Sequence, residues 1–521
     1  MDIGSVNENN INAISNKLQS VTNQLKGNWA IYGTGDGAEI VYEALKKINK
    51  QQIIAFFVDR DDYLGNNVIH NKKVKKLNEI VFELDGIIIG AAKNHKLIFQ
   101  RINNYLLENK INNLIILDIF KFNSALDKEE YIKYIEKSIL KKSDTFVEFN
   151  PKKFIRNEYM VKAIAWYLPQ FHQMEINDKF HGKGFTEWTN TTMAIPVFTG
   201  HYQPHIPYDV GYYDLLNKES MKRQIYLAKH YGIYGFCVHY YWFSGKRIME
   251  RPLQLLLENK DLDIPFCLDW ATENWTALWD GGNKEVMLEQ TIEEEDAERF
   301  MLDILPYMND KRYIKICNKP VLIIYRINIF VKKKIRKLLK KFREIAKLEG
   351  FDGLYIMVSN AFSFIDDVRE WGADAIVEFP PHAMMDLMEE RRPFGYINPY
   401  YNGTFNDAND FIREKRYMIK HQNNRVYFRS AMTAWDNTAR KAISDGKIIW
   451  GLTPDTYKQW LKDIIEESYR IHPPEENIVF LNSWNEWAEG SHLEPDMKYG
   501  YAYLQETRDA IEETARDYIM T

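Results

Sequence analysis

From Lys162 onward the chain alternates short, nearly continuous apolar runs with longer segments whose apolar residues recur every three or four positions. Runs of the first kind read as strands buried on both faces, and segments of the second kind as amphipathic helices. Eight strands are predicted: Lys162–Trp166, Gly235–His239, Pro265–Asp269, Pro320–Tyr325, Leu354–Val358, Ala375–Glu378, Val426–Ser430 and Ile478–Leu481. Eight strand–helix units over roughly 350 residues predict a (β/α)8 TIM-type barrel with inserted loops. An open doubly wound sheet is the alternative.

Earlier in the chain the same alternation has shorter periods. Trp29–Tyr32, Ile53–Val58, Gly86–Gly90 and Asn113–Leu117 read as strands, with helical patterns over residues 9–26 and 39–46. The class is therefore α/β, with an N-terminal Rossmann-like parallel sheet domain (1–125) followed by the barrel (159–521). Residues 126–158 are charged and helical in pattern, and are expected to form a connecting helix and linker. In the first domain the turn after the first strand, Gly33-Thr-Gly35, would let backbone N–H groups approach a phosphate at a helix N-terminus. Asp59, at the end of the second strand, is placed to bond a ribose hydroxyl. A nucleotide or nucleotide-sugar on Gly33, Gly35 and Asp59 is one reading; a structural or partner-docking domain is the other. The barrel itself calls for no cofactor.

Composition narrows the partners. The net charge is −5 over 521 residues, with 45% hydrophobic and 27% charged residues, which gives nucleic acid no basic surface. The 13 Trp and 32 Tyr concentrate after about residue 160. Flat apolar faces with a polar handle suit the C–H faces and hydroxyl rim of a sugar. Cys237, Cys267 and Cys317 lie in apolar runs without metal-ligand spacing and are expected to be core thiols, with no metal site. The start of the chain lacks a signal-peptide pattern, and no apolar run approaches the ~18 residues of a membrane span, so a cytoplasmic location is expected. The helical run Lys332–Arg343, apolar at 335, 338, 339 and 342, has a cationic outer face that leaves peripheral contact with a membrane open.

The chemistry is expected at the C-terminal ends of the barrel strands, which converge on one crater. Tyr167, Gln170 and His172 follow the first strand, with Glu187 and Trp188 in the loop beyond. His239, Tyr240 and Trp242 end the second; Asp269, Trp270, Glu273 and Asn274 end the third. Glu378 ends the sixth and is the substitute catalytic acid; Trp435 follows the seventh. The eighth opens into Trp484, Asn485, Glu486, Trp487, Glu489 and His492. Paired carboxylates beside aromatic platforms are what glycosidic bond cleavage requires: one protonated to help the leaving oxygen depart, the other ionised. If Trp487-Ala488 continues as a helical turn, Glu486 and Glu489 share one face. The remaining residues named here would line sugar subsites or support them.

Several of these segments carry a family resemblance: Trp166-Tyr-Leu-Pro-Gln-Phe-His172, Gly184-Phe-Thr-Glu-Trp188, His201-Tyr-Gln-Pro204, Gly235–Phe243, Asp269-Trp-Ala-Thr-Glu-Asn-Trp275 and Trp484–Pro495. Residues 162–508 resemble the WbsX-type proteins of bacterial O-antigen and surface-polysaccharide clusters, whose domain is similar to glycoside hydrolase family 99, the endo-α-mannosidases. The resemblance implies a (β/α)8 barrel. It also implies that Glu486 acts as the base assisting the sugar 2-hydroxyl, and Glu489 as the general acid and then base, with retention. The first domain resembles small Rossmann-like domains found ahead of sugar-modifying bacterial enzymes. The expected function is thus action on glycosidic bonds of a surface glycan, oligosaccharide or lipid-linked, by hydrolysis or transglycosylation. Nucleotide-sugar-dependent glycosyl transfer and a non-catalytic glycan-binding scaffold stay open as alternatives.

Overall fold

The computed structural model describes residues 8–20, 25, 27–49, 53–58, 68–91, 95–111, 114–119, 142–198, 200–276, 286–361, 367–393, 401–420, 426–441 and 446–520. The chain divides into two compact units, residues 1–134 with 391–400, and residues 135–390 with 401–521.

In the first unit four strands, Ile53–Phe57, Trp29–Tyr32, Gly86–Ile89 and Ile115–Leu117, run parallel in that spatial order. A hairpin, Val68–Ile69 with Lys72–Lys75, extends the sheet beside Ile53–Phe57. Alternate side chains feed two cores, as the period of two in a strand requires. Ile31, Phe56 and Ile88 pack with Val41, Ala44 and Leu45 of the helix Asp36–Lys47, and with Ile14 and Leu18 of Glu8–Ser20. Ala30, Phe57, Ile87 and Ile89 pack with Ile98, Ile102 and Leu106 of His95–Glu108. Gly33 follows the first strand at φ +111°, and its N–H donates to Phe57 O at 2.9 Å. Asp59, the expected ribose ligand, lies outside the described residues.

The second unit contains all eight predicted barrel strands: Lys162–Tyr167, Gly235–Phe243, Phe266–Trp270, Lys319–Ile324, Tyr355–Asn360, Ala375–Glu378, the broken strand Tyr427–Phe428/Ser430–Met432, and Ile478–Asn482. Every neighbouring pair is parallel. Tyr427–Phe428 pairs with the sixth strand and Ser430–Met432 with the eighth. Arg429 alone separates them along the chain, so the sheet comes round on itself as a nearly closed parallel barrel. The open-sheet alternative is excluded by that pairing. Helices Lys218–His230, Glu250–Glu258, Asp296–Met308, Lys332–Leu348, Pro454–Ile471 and Ala502–Met520 cover the outside.

Three expectations are corrected. Within the linker predicted over 126–158, residues 126–141 lie outside the described residues, and 142–158 form no helix. That stretch is held by the barrel unit instead: Ser143 N donates to Lys498 O, Val147 N to Tyr499 O, and Arg508 Nη1 to Lys152 O at 2.5 Å. Cys237 and Cys267 are buried opposite each other on adjacent strands, but Cys317 is exposed. Cys317 and Asn318, at φ +47° and +55°, form the two-residue turn of a hairpin between Lys315–Ile316 and Lys319–Ile324. The cationic face of Lys332–Leu348 is not a free basic patch. Lys332, Lys334, Lys337, Lys341 and Arg343 pair with Glu370, Glu293, Glu294, Glu298 and Asp374 on neighbouring segments.

Candidate active site

The loop after the eighth strand is a tight hairpin. Asn485–Glu486 pairs antiparallel with Ser491–His492, and a 3-10 turn, Trp487–Glu489, lies between them. Side chains three apart eclipse in such a turn, which brings Glu486 and Glu489 to one side. Gly490 ends the turn at φ +64°, a left-handed conformation that suits glycine. Ser483 Oγ accepts the Glu486 N–H at 2.9 Å and donates to Ser491 O at 2.6 Å, clamping both arms.

Both carboxylates open into a cavity of about 900 Å³ at the C-terminal end of the barrel. Its wall includes Gln170, Glu187, His239, Glu273, Asn274 and Trp435 from the predicted set. At its floor the guanidinium of Arg440 meets three carboxylates. Nη2 is 2.7 Å from Glu486, Nη1 2.6 Å from Glu489, and Nε 2.7 Å from Glu187. All four side chains are largely buried, Glu489 being the most open at 15%. Gln170 Nε2 donates to Glu486 at 3.1 Å. Burial raises the pKa of Glu486 well above the usual carboxylate range against the pull of Arg440, and the charges of Glu489 and Glu187 add to it. Glu489 is raised for the same reason, opposed by Arg440. Protons on this cluster therefore belong to the group of acids.

Arg440 sits on the short helix Thr438–Lys441. Asp436 caps that helix, accepting from Thr438 N at 2.9 Å and Thr438 Oγ1 at 2.6 Å. The other Asp436 oxygen accepts from Gln203 Nε2 at 2.6 Å and His201 Nε2 at 2.5 Å. His201 Nδ1 accepts the Val197 N–H, so its proton is on Nε2. Burial favours the neutral Asp436, but His201, Thr438 and Gln203 override it and hold the carboxyl at about 2.

The remaining predicted residues are packed away from the cavity. On the second strand the structure reverses the expected parity for two residues. His239 and the unpredicted Tyr241 face the cavity, whereas Tyr240 and Trp242 turn outward against Phe300, and Trp242 Nε1 donates to Asp303 at 2.7 Å. Trp270 likewise packs outward on Phe300 and Phe330. Tyr167 donates to Gln224 on the covering helix, and His172 is buried, which lowers its pKa. Trp188 donates to Tyr213 O. Asp269 is fully buried beside His239, with Oδ2 2.9 Å from Nδ1 outside hydrogen-bond geometry. Glu378, the substitute acid, is bound by Arg429 at 2.5 Å and by Ser430 N at 3.2 Å in the barrel interior.

Four residues of the eighth loop are supports. Asn485 bonds Leu168 N and O at 2.8 and 3.0 Å, fastening the first strand's end to the loop. Trp484 and Trp487 donate to Glu494 at 3.0 and 2.6 Å, joined there by Gln224 and Tyr213. Burial pushes Glu494 up to about 7 against those four hydrogen bonds, which favour the anion. His492 stacks on Trp487 with centroids 3.7 Å apart, and its Nδ1 donates to Glu494 O at 2.9 Å. Its Nε2 therefore accepts from His205 Nδ1, at 2.7 Å. His205, His492 and Asp496 bring three ligand atoms together. Two nitrogens sharing a tetrahedral ion at about 2.0–2.1 Å would stand about 3.3 Å apart, so this pair is a hydrogen bond.

The far wall holds residues that sequence reasoning missed. Phe379 and His382 stack at 15°, and His382 meets Trp435 edge-on at 5.5 Å. Burial, with the charges of Lys447 and Arg326, lowers His382 to about 3. Trp435 is buried, and its Nε1 has no hydrogen-bond partner among the described residues. Glu273 is paired with Arg326, and Asn274 Oδ1 accepts Gln290 N at 2.6 Å.

Comparison with known proteins gives three findings. The sequence profile of the family described as glycosyltransferase WbsX matches residues 163–507. Two curated relatives, both described as uncharacterized protein WxcX and from two strains of Xanthomonas campestris pv. campestris, are 34% identical over 350 residues. The match takes in 67% of this chain and 49% of theirs, so the chain spans about half the length of the curated relatives it matches. Two solved structures of the family 99 endo-α-mannosidase of Bacteroides thetaiotaomicron, one with bis-tris propane, have TM-scores of 0.43 and 0.42 at 14% identity. They cover 70% and 69% of this chain and 99% of each of their own.

Proposed function

The chain belongs to the WbsX glycosyltransferase family, and from that premise we propose that its barrel is a carbohydrate-active enzyme working at glycosidic bonds through Glu486 and Glu489. One observation carries the reading: two neighbouring acids, both with raised pKa, open into a cavity of about 900 Å³ at the mouth of the barrel. A buried acid that keeps its proton can donate it to a departing glycosidic oxygen, while its neighbour, ionised against Arg440, takes the complementary role. Trp435, Tyr241 and Phe379 offer ring faces for a pyranose, and the family-99 resemblance supports retention as the outcome. Among the described residues no helix is long and apolar enough to cross a membrane.

Transfer from a nucleotide-sugar is the reading the family's description favours. It would bring a pyrophosphate beside the anomeric carbon, next to three carboxylates that share a single guanidinium. Like charges at that range oppose such a donor, and this supports a glycan, rather than a nucleotide-sugar, as the molecule on the acids. The test is mass spectrometry of surface polysaccharide glycans incubated with the purified protein, with and without nucleotide-sugars, alongside Glu489→Gln. Loss or exchange of sugar units without a donor, reduced about 10²–10⁴-fold in the variant, is expected. Sugar gained only with a donor would refute the proposal in favour of transfer.

A further inference from the structure

Glu486 and Glu489 stand three residues apart on one hairpin, but what fixes them comes from two other loops. Arg440 is delivered by the loop after the seventh strand, and Glu187 is the first residue of the helix Glu187–Met193 in the loop after the first. Arg440's fork is fully used: each of its three nitrogens faces a different carboxylate at 2.6–2.7 Å. Its helix is in turn gripped through Asp436 by His201 and Gln203. Three acids converge on one guanidinium, and all four residues line the cavity.

We propose that Arg440 is a positioning residue for the carboxylate pair and that Glu187 is a third acid of the site, the two together fixing both the geometry of Glu486 and Glu489 and the number of protons they hold. The proposal rests on the reading of Glu486 and Glu489 as the reacting acids. Its logic is charge balance. Three largely buried carboxylates around one guanidinium would leave two uncompensated charges, so the cluster retains a proton, the one a departing oxygen needs. Removing the guanidinium makes the acids bind more protons; removing Glu187 lets the remaining pair ionise. A planar fork serving three partners is not replaced by a lysine, which keeps the charge and loses the geometry.

The test is infrared spectroscopy of the protonated carboxyl stretch at pH 7 in the full chain, assigned by its loss in Glu486→Gln or Glu489→Gln. Arg440→Met is expected to increase that band by about one carboxyl, and Glu187→Gln to diminish it. Arg440→Lys is expected to keep the wild-type band and to weaken binding of the cationic sugar analogue 1-deoxynojirimycin about tenfold by calorimetry. An unchanged band in folded Arg440→Met overturns the proposal. If that variant does not fold, Glu187→Gln decides, an unchanged band again overturning it. The underlying functional reading fails separately, if 1-deoxynojirimycin binds wild type and Glu489→Gln alike while the band responds as described.

Discussion

Asp436 has no hydrogen bond to Glu486 or Glu489, yet it caps the short helix that carries Arg440. Its two oxygens accept four hydrogen bonds, from His201, Gln203 and both donors of Thr438. Asparagine has the same shape but must turn its amide –NH2 either towards His201 and Gln203 or towards the Thr438 N–H. In either orientation a donor meets a donor. The drop from 3.8 to about 2 in this buried carboxyl, at about 1.4 kcal/mol per pH unit, corresponds to about 2.5 kcal/mol of stability. For a unit of this size that is about 3 °C in Tm.

The sign follows from linkage. The pKa is lower in the folded chain than in the unfolded one, so the contribution is fully present above about pH 4 and lost as the pH falls towards 2. At pH 3 about half remains. Thermal melts of wild type and Asp436→Asn at pH 7, 5, 4 and 3 therefore should show a gap of about 3 °C that is constant from pH 7 to 5 and narrows below 4. Melts that coincide at pH 7, or a gap undiminished at pH 3, would refute the reasoning. The first result would mean that the four hydrogen bonds do not depend on the charge; the second, that the loss comes from the donor-to-donor clash and not from the charge.

Three further outcomes are expected. Tyr241→Phe should weaken binding of 1-deoxynojirimycin about tenfold with little effect on melting, whereas Trp242→Phe, which loses its bond to Asp303, should cost about 2–3 kcal/mol and leave that binding unchanged. Native protein should react with Ellman's reagent at about one thiol per chain and unfolded protein at all three, since Cys317 is exposed while burial pushes the Cys237 thiol up. Gly490→Ala forces a side chain into φ +64°, with its Cβ 3.4 Å from Asp436 and His205. It should destabilise by about 1–2 kcal/mol and impair turnover by displacing Glu489.

The barrel was legible because its strands are buried on both faces and so appear as plain apolar runs between helical patterns. That same uniformity hid which face is which. In Gly235–Phe243 nine consecutive residues carry one polar marker of parity, His239, and the expected Tyr240 and Trp242 have the opposite parity to His239 and Tyr241, which the cavity takes. His239, if taken as the fixed inward position, would have given Tyr241 by counting two. Indoles misled for a related reason. Trp484 and Trp487 flank the acids in sequence, but each carries an N–H that needs a buried acceptor, and Glu494, within the same loop, supplies it.

Arg440 was not legible, because no local spacing links it to the acids; the hydrogen bonds that join them span 46, 49 and 253 positions. What the sequence could convey was a surplus. Two buried acids three residues apart at the end of a barrel strand resist ionising together without a cation, so one is expected from another loop. Among the cavity-lining residues Arg440 has the position that demand requires, and Asp436 explains how a helix of four residues holds it there. The two acids thus come from one hairpin, but the side chains that contact them, Glu187 through Arg440 and Arg440 itself, come from the loops after the first and seventh strands. Substitutions in those loops should therefore change the pH dependence of the barrel's reaction without touching either acid.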